Sequence, residues 1–104
     1  MYRVVLLTVA KSDVKDAASW YEGKQDKLGK KFLADLRQII GLIKRNPFGY
    51  AVRYDDVRAA VLDGFPFMIH YQMDEPNKLI IVAAVLHTSR NPDIWRGHRN
   101  TGEV

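Results

Sequence analysis

The chain has 104 residues, 47% of them hydrophobic and 11% aromatic, with no cysteine and a formal charge of +4. That length holds one domain, residues 1–104, able to fold without metal or disulfides, and the lack of cysteine excludes disulfide scaffolds, thiol chemistry and cysteine–zinc sites. Nothing approaches the roughly 18 consecutive apolar residues of a membrane span, so a non-membrane, cytoplasmic protein is expected, and its charge favours polyanions or an acidic protein partner.

Tyr2–Val9 is rich in β-branched and aliphatic residues and reads as a first strand; its short apolar run lacks the flanks of a signal peptide. Ser12 or Asp13 is placed to cap a helix on which Val14, Ala17, Ala18 and Tyr21 form one stripe. Gly23 and the polar run Lys24–Lys27 mark its end. A second helix carries Phe32, Leu36, Ile39, Ile40 and Ile43 on one face, with Lys30, Lys31, Asp35, Arg37, Gln38 and Lys44 elsewhere. Asn46-Pro47 stops it, because the residue before proline avoids helical angles.

Beyond Gly49 the period changes to that of strands. Tyr54–Leu62 is one, with Asp55-Asp56 a candidate interruption. Phe65–Met73 is the next, with Phe67, Ile69, Tyr71 and Met73 on one face and Met68, His70 and Gln72 on the other. Asp74-Glu75-Pro76-Asn77 supplies a turn, and Lys78–Leu86 returns as a nearly all-apolar central strand. The expected class is α+β, in the order β-α-α-β-β-β: an antiparallel sheet covered on one face by a helical hairpin, with a basic, partly irregular tail from about residue 88.

The residues that carry a resemblance are now in view. They are Trp20-Tyr21-Glu22, Gly29-x-x-Phe32, Asn46-Pro47, Val57-Arg58, Leu62 and Phe65-Pro66-Phe67-x-Ile69-x-Tyr71. Ala84-x-x-His87-x-x-Arg90-x-Pro92-x-x-Trp95 and Arg99 complete the string. In this order they resemble the RelE/ParE family of toxins from type II toxin–antitoxin systems, from about Val4 to Arg99. The resemblance implies a growth-inhibiting toxin held inactive by a cognate antitoxin whose extended or helical tail wraps around it, in a toxin–antitoxin hetero-oligomer. RelE-like members cleave messenger RNA on the ribosome, whereas ParE-like members poison DNA gyrase. A shared fold does not choose between those targets.

Each candidate site residue has two readings. Arg58, alone in an apolar strand, is either a phosphate ligand, as the resemblance implies for the nuclease members, or an outward or ion-paired structural arginine. His87 at the end of the last strand is either the general acid or base of a nuclease or a histidine that caps the strand by hydrogen bonds. Arg90, Arg96 and Arg99 of the tail would meet RNA, the antitoxin or the target, or else simply be solvated. Tyr71 is expected in the core and His70 at the surface. Asp55-Asp56 is a turn or bulge before it is a metal site, and neither metal nor cofactor is expected.

Against cleavage stand two positions. Met68 occupies the place where many relatives carry a basic residue, and Thr88 the place of a tyrosine in nucleases that share the strand-end histidine. A non-cleaving, ParE-like gyrase poison is therefore favoured. The alternatives are a ribosome-dependent endoribonuclease with Arg58 and His87 as catalytic residues, and an inactive relative kept for antitoxin binding and autoregulation.

Overall fold

A computed structural model describes residues 1–89; Arg90, Trp95, Arg96 and Arg99, and with them most of the expected basic tail, lie outside the described residues. The first strand, β1 (Arg3–Leu6), is shorter than expected, because the chain turns directly into helix α1 (Thr8–Lys24). No side chain caps that helix: its N-cap is Leu7, a full turn before Ser12 and Asp13. The early start drives Ala10 into complete burial. The carboxylate of Asp13 accepts the backbone N–H of Val85 at 3.0 Å.

Helix α2 (Leu28–Arg45) follows the amphipathic pattern closely. Phe32, Leu36, Ile39 and Ile43 are buried, and Asn46 is its C-cap. The turn joining the two helices is held by one side chain. Glu22 accepts N–H bonds from Lys27 at 2.9 Å and from Gly29 at 3.0 Å, and those bonds, Lys27 first, hold its carboxyl below the usual range. Gly29 is required there by close approach, since a Cβ would lie 2.5 Å from the carbonyl oxygen of Ala18.

Four more strands follow: β2 (Val52–Tyr54), β3 (Val57–Val61), β4 (Phe67–Asp74) and β5 (Leu79–His87). The sheet order is β1-β5-β4-β3-β2. Strands β2 to β5 form the expected antiparallel meander, and β1 pairs with β5 in parallel. The class is α+β as expected, but the sheet has five strands and is mixed. Asp55, with φ of 49°, turns the chain and splits the single expected strand 54–62 in two. The parallel pairing arises because the helical hairpin intervenes between β1 and the meander, carrying the chain over the sheet before it re-enters.

The helix-covered face of the sheet supplies Ile69, Tyr71, Ile80, Val82 and Val85 to the main core. A register shift lies between His70 and Tyr71, where β5 holds one extra residue, Ala83. This bulge keeps Ala83 and Ala84 together with Tyr54, Val57 and Leu86 in a second apolar cluster.

Asp35 is the one carboxylate buried among these described residues, on α2. It accepts the N–H of Asp63 at 3.2 Å and of Gly64 at 2.7 Å, tying α2 to the turn between β3 and β4. Replacing it with alanine strands two amides beneath the helix. Asp35→Ala is expected to lower unfolding stability by about 2 kcal/mol, read as a reduced urea midpoint at unchanged slope.

Candidate functional site

Arg58 lies on β3 opposite Tyr71, on the helix-covered face but beyond the end of α2. The segment after the helix closes over it. Its guanidinium donates to the carbonyl of Tyr50 and, at 3.5 Å, to that of Phe48, and it sits 5.1 Å from the centre of the Phe48 ring. Tyr71 braces the same segment: its hydroxyl donates to the Pro47 carbonyl at 2.6 Å. Burial pushes that hydroxyl up to about 12, against a smaller downward pull from Arg58. Tyr71 is therefore a protonated donor and not a base, and it is fully buried in the core as expected.

His87 occupies the opposite end of the sheet, where it pairs with Phe67. Its Nδ1 accepts the N–H of Ser89 at 3.1 Å and lies 2.8 Å from the Ser89 hydroxyl. This is the strand-capping geometry, with Nδ1 as the acceptor. The ring packs edge-on to Phe67 at 5.4 Å.

The structure does not bring Arg58 and His87 together. Their partners Tyr71 and Phe67 are separated by four residues along β4, so the two Cα atoms stand roughly 15 Å apart. Met68 lies on the face away from the helices, between Val61 and Leu86, and contributes no charge there.

His70 corrects the expectation of a surface histidine. It is only 3% exposed, and its Nδ1 lies 3.0 Å from the Tyr54 hydroxyl in the second cluster. The far face of the sheet is thus partly buried too, where simple alternation expects solvent. Burial, aided by the positive charge of Arg53, brings the imidazole down to about 4. Asp55-Asp56 is the turn between β2 and β3, and among the described residues no group of three metal-ligating side chains occurs.

One further feature escaped sequence reasoning. A cavity of about 490 Å³ opens at the end of β4 and β5, lined by Ala17, Trp20, Tyr21, Pro66, Phe67 and His87. Trp20 is 59% exposed at its rim, with the Lys24 ammonium 4.8 Å from its ring centre. Its position off the Val14–Tyr21 stripe was the available signal.

Two helices packed on one face of a five-stranded mixed sheet, with these motif residues in its core and turns, make a two-layer α+β fold. Residues 4–92 match the model of the ParE toxin of type II toxin–antitoxin systems (parDE), and the chain belongs to that family. Among solved structures it is similar to the toxin of the intact E. coli RelBE complex, at 16% identity and TM-score 0.66, covering 86% of this chain and 100% of that one. It is also similar to isolated E. coli RelE, at 14% identity and TM-score 0.65 over 97% and 99% of the two chains. A chain of the chromosomal ParDE system of P. aeruginosa gives 17% identity and TM-score 0.60 over 84% and 96%. At these identities the likeness establishes the fold alone. A search of curated proteins found no match. No helix among the described residues is long and apolar enough to cross a membrane.

The buried histidine gives a pH test. Its folded value of about 4 lies below its ordinary 6.5, so the unfolded chain takes up the proton first. Stability is then full above about pH 6.5 and falls as pH drops toward 4. His70→Gln is expected to flatten that fall, seen by comparing urea midpoints at pH 7 and pH 5; equal slopes in both proteins would refute it.

Proposed function

We propose that this toxin acts without cleaving RNA, as a ParE-like poison of DNA gyrase, and is held inactive by a cognate antitoxin. The observation that carries the reading is the separation of the two groups a sheet-face nuclease would need. Arg58 is turned into backbone carbonyls of the segment after α2, and His87 caps its own strand roughly 15 Å away. In-line attack by a ribose hydroxyl needs a general base and a cation within reach of one phosphate. A guanidinium already engaged by carbonyl oxygens would have to release them first.

Supporting observations point the same way. His70 is neutral and buried, and Tyr71 is protonated. The antitoxin enters from the family and from the complexes in which its structural relatives occur, RelBE and ParDE. On this reading the chain is an interaction module, and its working surface binds protein and performs no covalent chemistry.

Induced expression separates the modes. The expected outcome is growth arrest with filamentation and gyrase-dependent DNA breaks while protein synthesis continues. His87→Ala is expected to stay fully toxic. Arg58→Ala should stay toxic too, with a melting temperature lowered by the lost carbonyl bonds. Arrest with cut messages, abolished in folded Arg58→Ala or His87→Ala protein, would establish a ribosome-dependent nuclease instead. Unimpeded growth would leave an inactive relative.

A further inference from the structure

Helix α2 buries one side and turns the other to solvent, and the exposed side is cationic along its length. Lys27, Lys30, Lys31, Arg37, Lys44 and Arg45 are all exposed there. Asp35, the acid within the helix, is buried and engaged by the amides of Asp63 and Gly64. Other carboxylates near this face sit at its margins. Glu22 lies beside Lys30 but is held by the amides of Lys27 and Gly29, and Asp63 stands across a pocket from Lys31. Arg37, Lys44 and Arg45 make no side-chain hydrogen bond or ion pair among the described residues. A merely solvated helix face mixes the two signs; this one does not.

The cations fall in rows. Residues seven apart are nearly two turns apart and stack about 10 Å along the axis. Lys30, Arg37 and Lys44 make one row, and Lys31, Gln38 and Arg45 the other. Between them run Ala34 and Gly41, so the crest of the helix is low and its flanks are long and charged. The chain's own packing does not require Gly41, since a Cβ added there meets nothing within 4 Å. Glycine weakens a helix interior, so its place on this crest calls for a reason outside the chain.

We propose that α2 seats in the major groove of duplex DNA, with one row of cations on each phosphate wall and the low crest over the base edges. The B-form major groove is about 12 Å wide and admits an α-helix, itself about 10–12 Å across. Ala34 and Gly41 bring no hydrogen-bonding side chain to the bases, so the contact follows the backbone and not the sequence. Duplex RNA is excluded by shape, because its major groove is deep and narrow. An acidic protein would satisfy the charge but has no use for two parallel rows with bare backbone between them. The proposal adds a DNA contact to the gyrase reading without resting on it, because bare duplex is expected to bind whatever the toxin's target.

The probe is a short mixed-sequence DNA duplex, titrated with the purified full chain and followed by fluorescence anisotropy over a range of salt concentrations. The RNA duplex of the same sequence is titrated beside it. DNA is expected to bind in the micromolar range at physiological salt, and RNA about tenfold more weakly. Arg37→Gln with Lys44→Gln, both exposed and both to a good helix former, is expected to keep the parent's melting temperature. The double variant should reduce the slope of log affinity against log salt by about 2, while the tail's charges stay as they were. Gly41→Leu alters no charge; it is expected to raise the melting temperature and to weaken DNA binding about tenfold. Absence of binding, or an unchanged slope in the double variant, overturns the proposal. So does Gly41→Leu protein that binds as the parent does, which reduces the face to diffuse electrostatics, and so does equal or tighter binding of RNA. A double variant that binds DNA normally but escapes its antitoxin assigns the face to that protein and also overturns it. DNA binding that behaves as expected in a chain that leaves gyrase unpoisoned refutes the gyrase reading and upholds this one.

Discussion

The structure depends on the burial of one ring. Phe32 is completely enclosed on α2, with ring centres of Tyr21 at 5.6 Å, Phe65 at 5.3 Å and Phe67 at 5.3 Å around it. Those partners come from α1, from the turn after β3 and from β4. One side chain therefore fixes both helices to each other and the pair to the sheet. Such a contact contributes through buried area and through edge-to-face geometry. It positions the end of β4 that carries Phe67, its partner His87, and the cavity beside Trp20.

The same view explains the motif string. Glu22 and Gly29 are two halves of one turn, a carboxylate that receives two N–H groups and a glycine that allows close approach. Asn46 caps α2, and its carbonyl accepts the N–H of Gly49 at 3.0 Å. Tyr71 and Arg58 bind the carbonyls of Pro47, Phe48 and Tyr50 and so hold the passage from α2 to β2. Each of these residues solves a connection in the fold. Within the described residues, then, the string is a signature of architecture more than of chemistry.

That is why so much was legible in the sequence and where it stopped. The α2 stripe, the core role of Tyr71 and the meander followed from local periodicity, since burial repeats with the backbone. The start of α1 did not, because Ala10 and Asp13 are placed by contacts with distant strands; Asp13 bonds a residue 72 positions away. His70 was misread for a related reason. Alternation assigns it to the far face, but only the bulge at Ala83 and the Tyr54 side chain make that face a second buried cluster. The break at Asp55 falls where Asp55-Asp56 had marked a candidate interruption, and the left-handed φ of Asp55 makes it a turn.

The architecture also separates the positions that hold the fold from those that do not. The positions that hold it together point inward or into backbone, whereas the Met68 side chain lies half-buried on the far face of the sheet. Arg58 shows the intermediate case: half-exposed on β3, it holds the segment after α2 through two carbonyls and an aromatic face. A guanidinium so placed earns its position structurally whether or not an anion reaches it. Arginine at this point of the string is thus compatible with either mode of action.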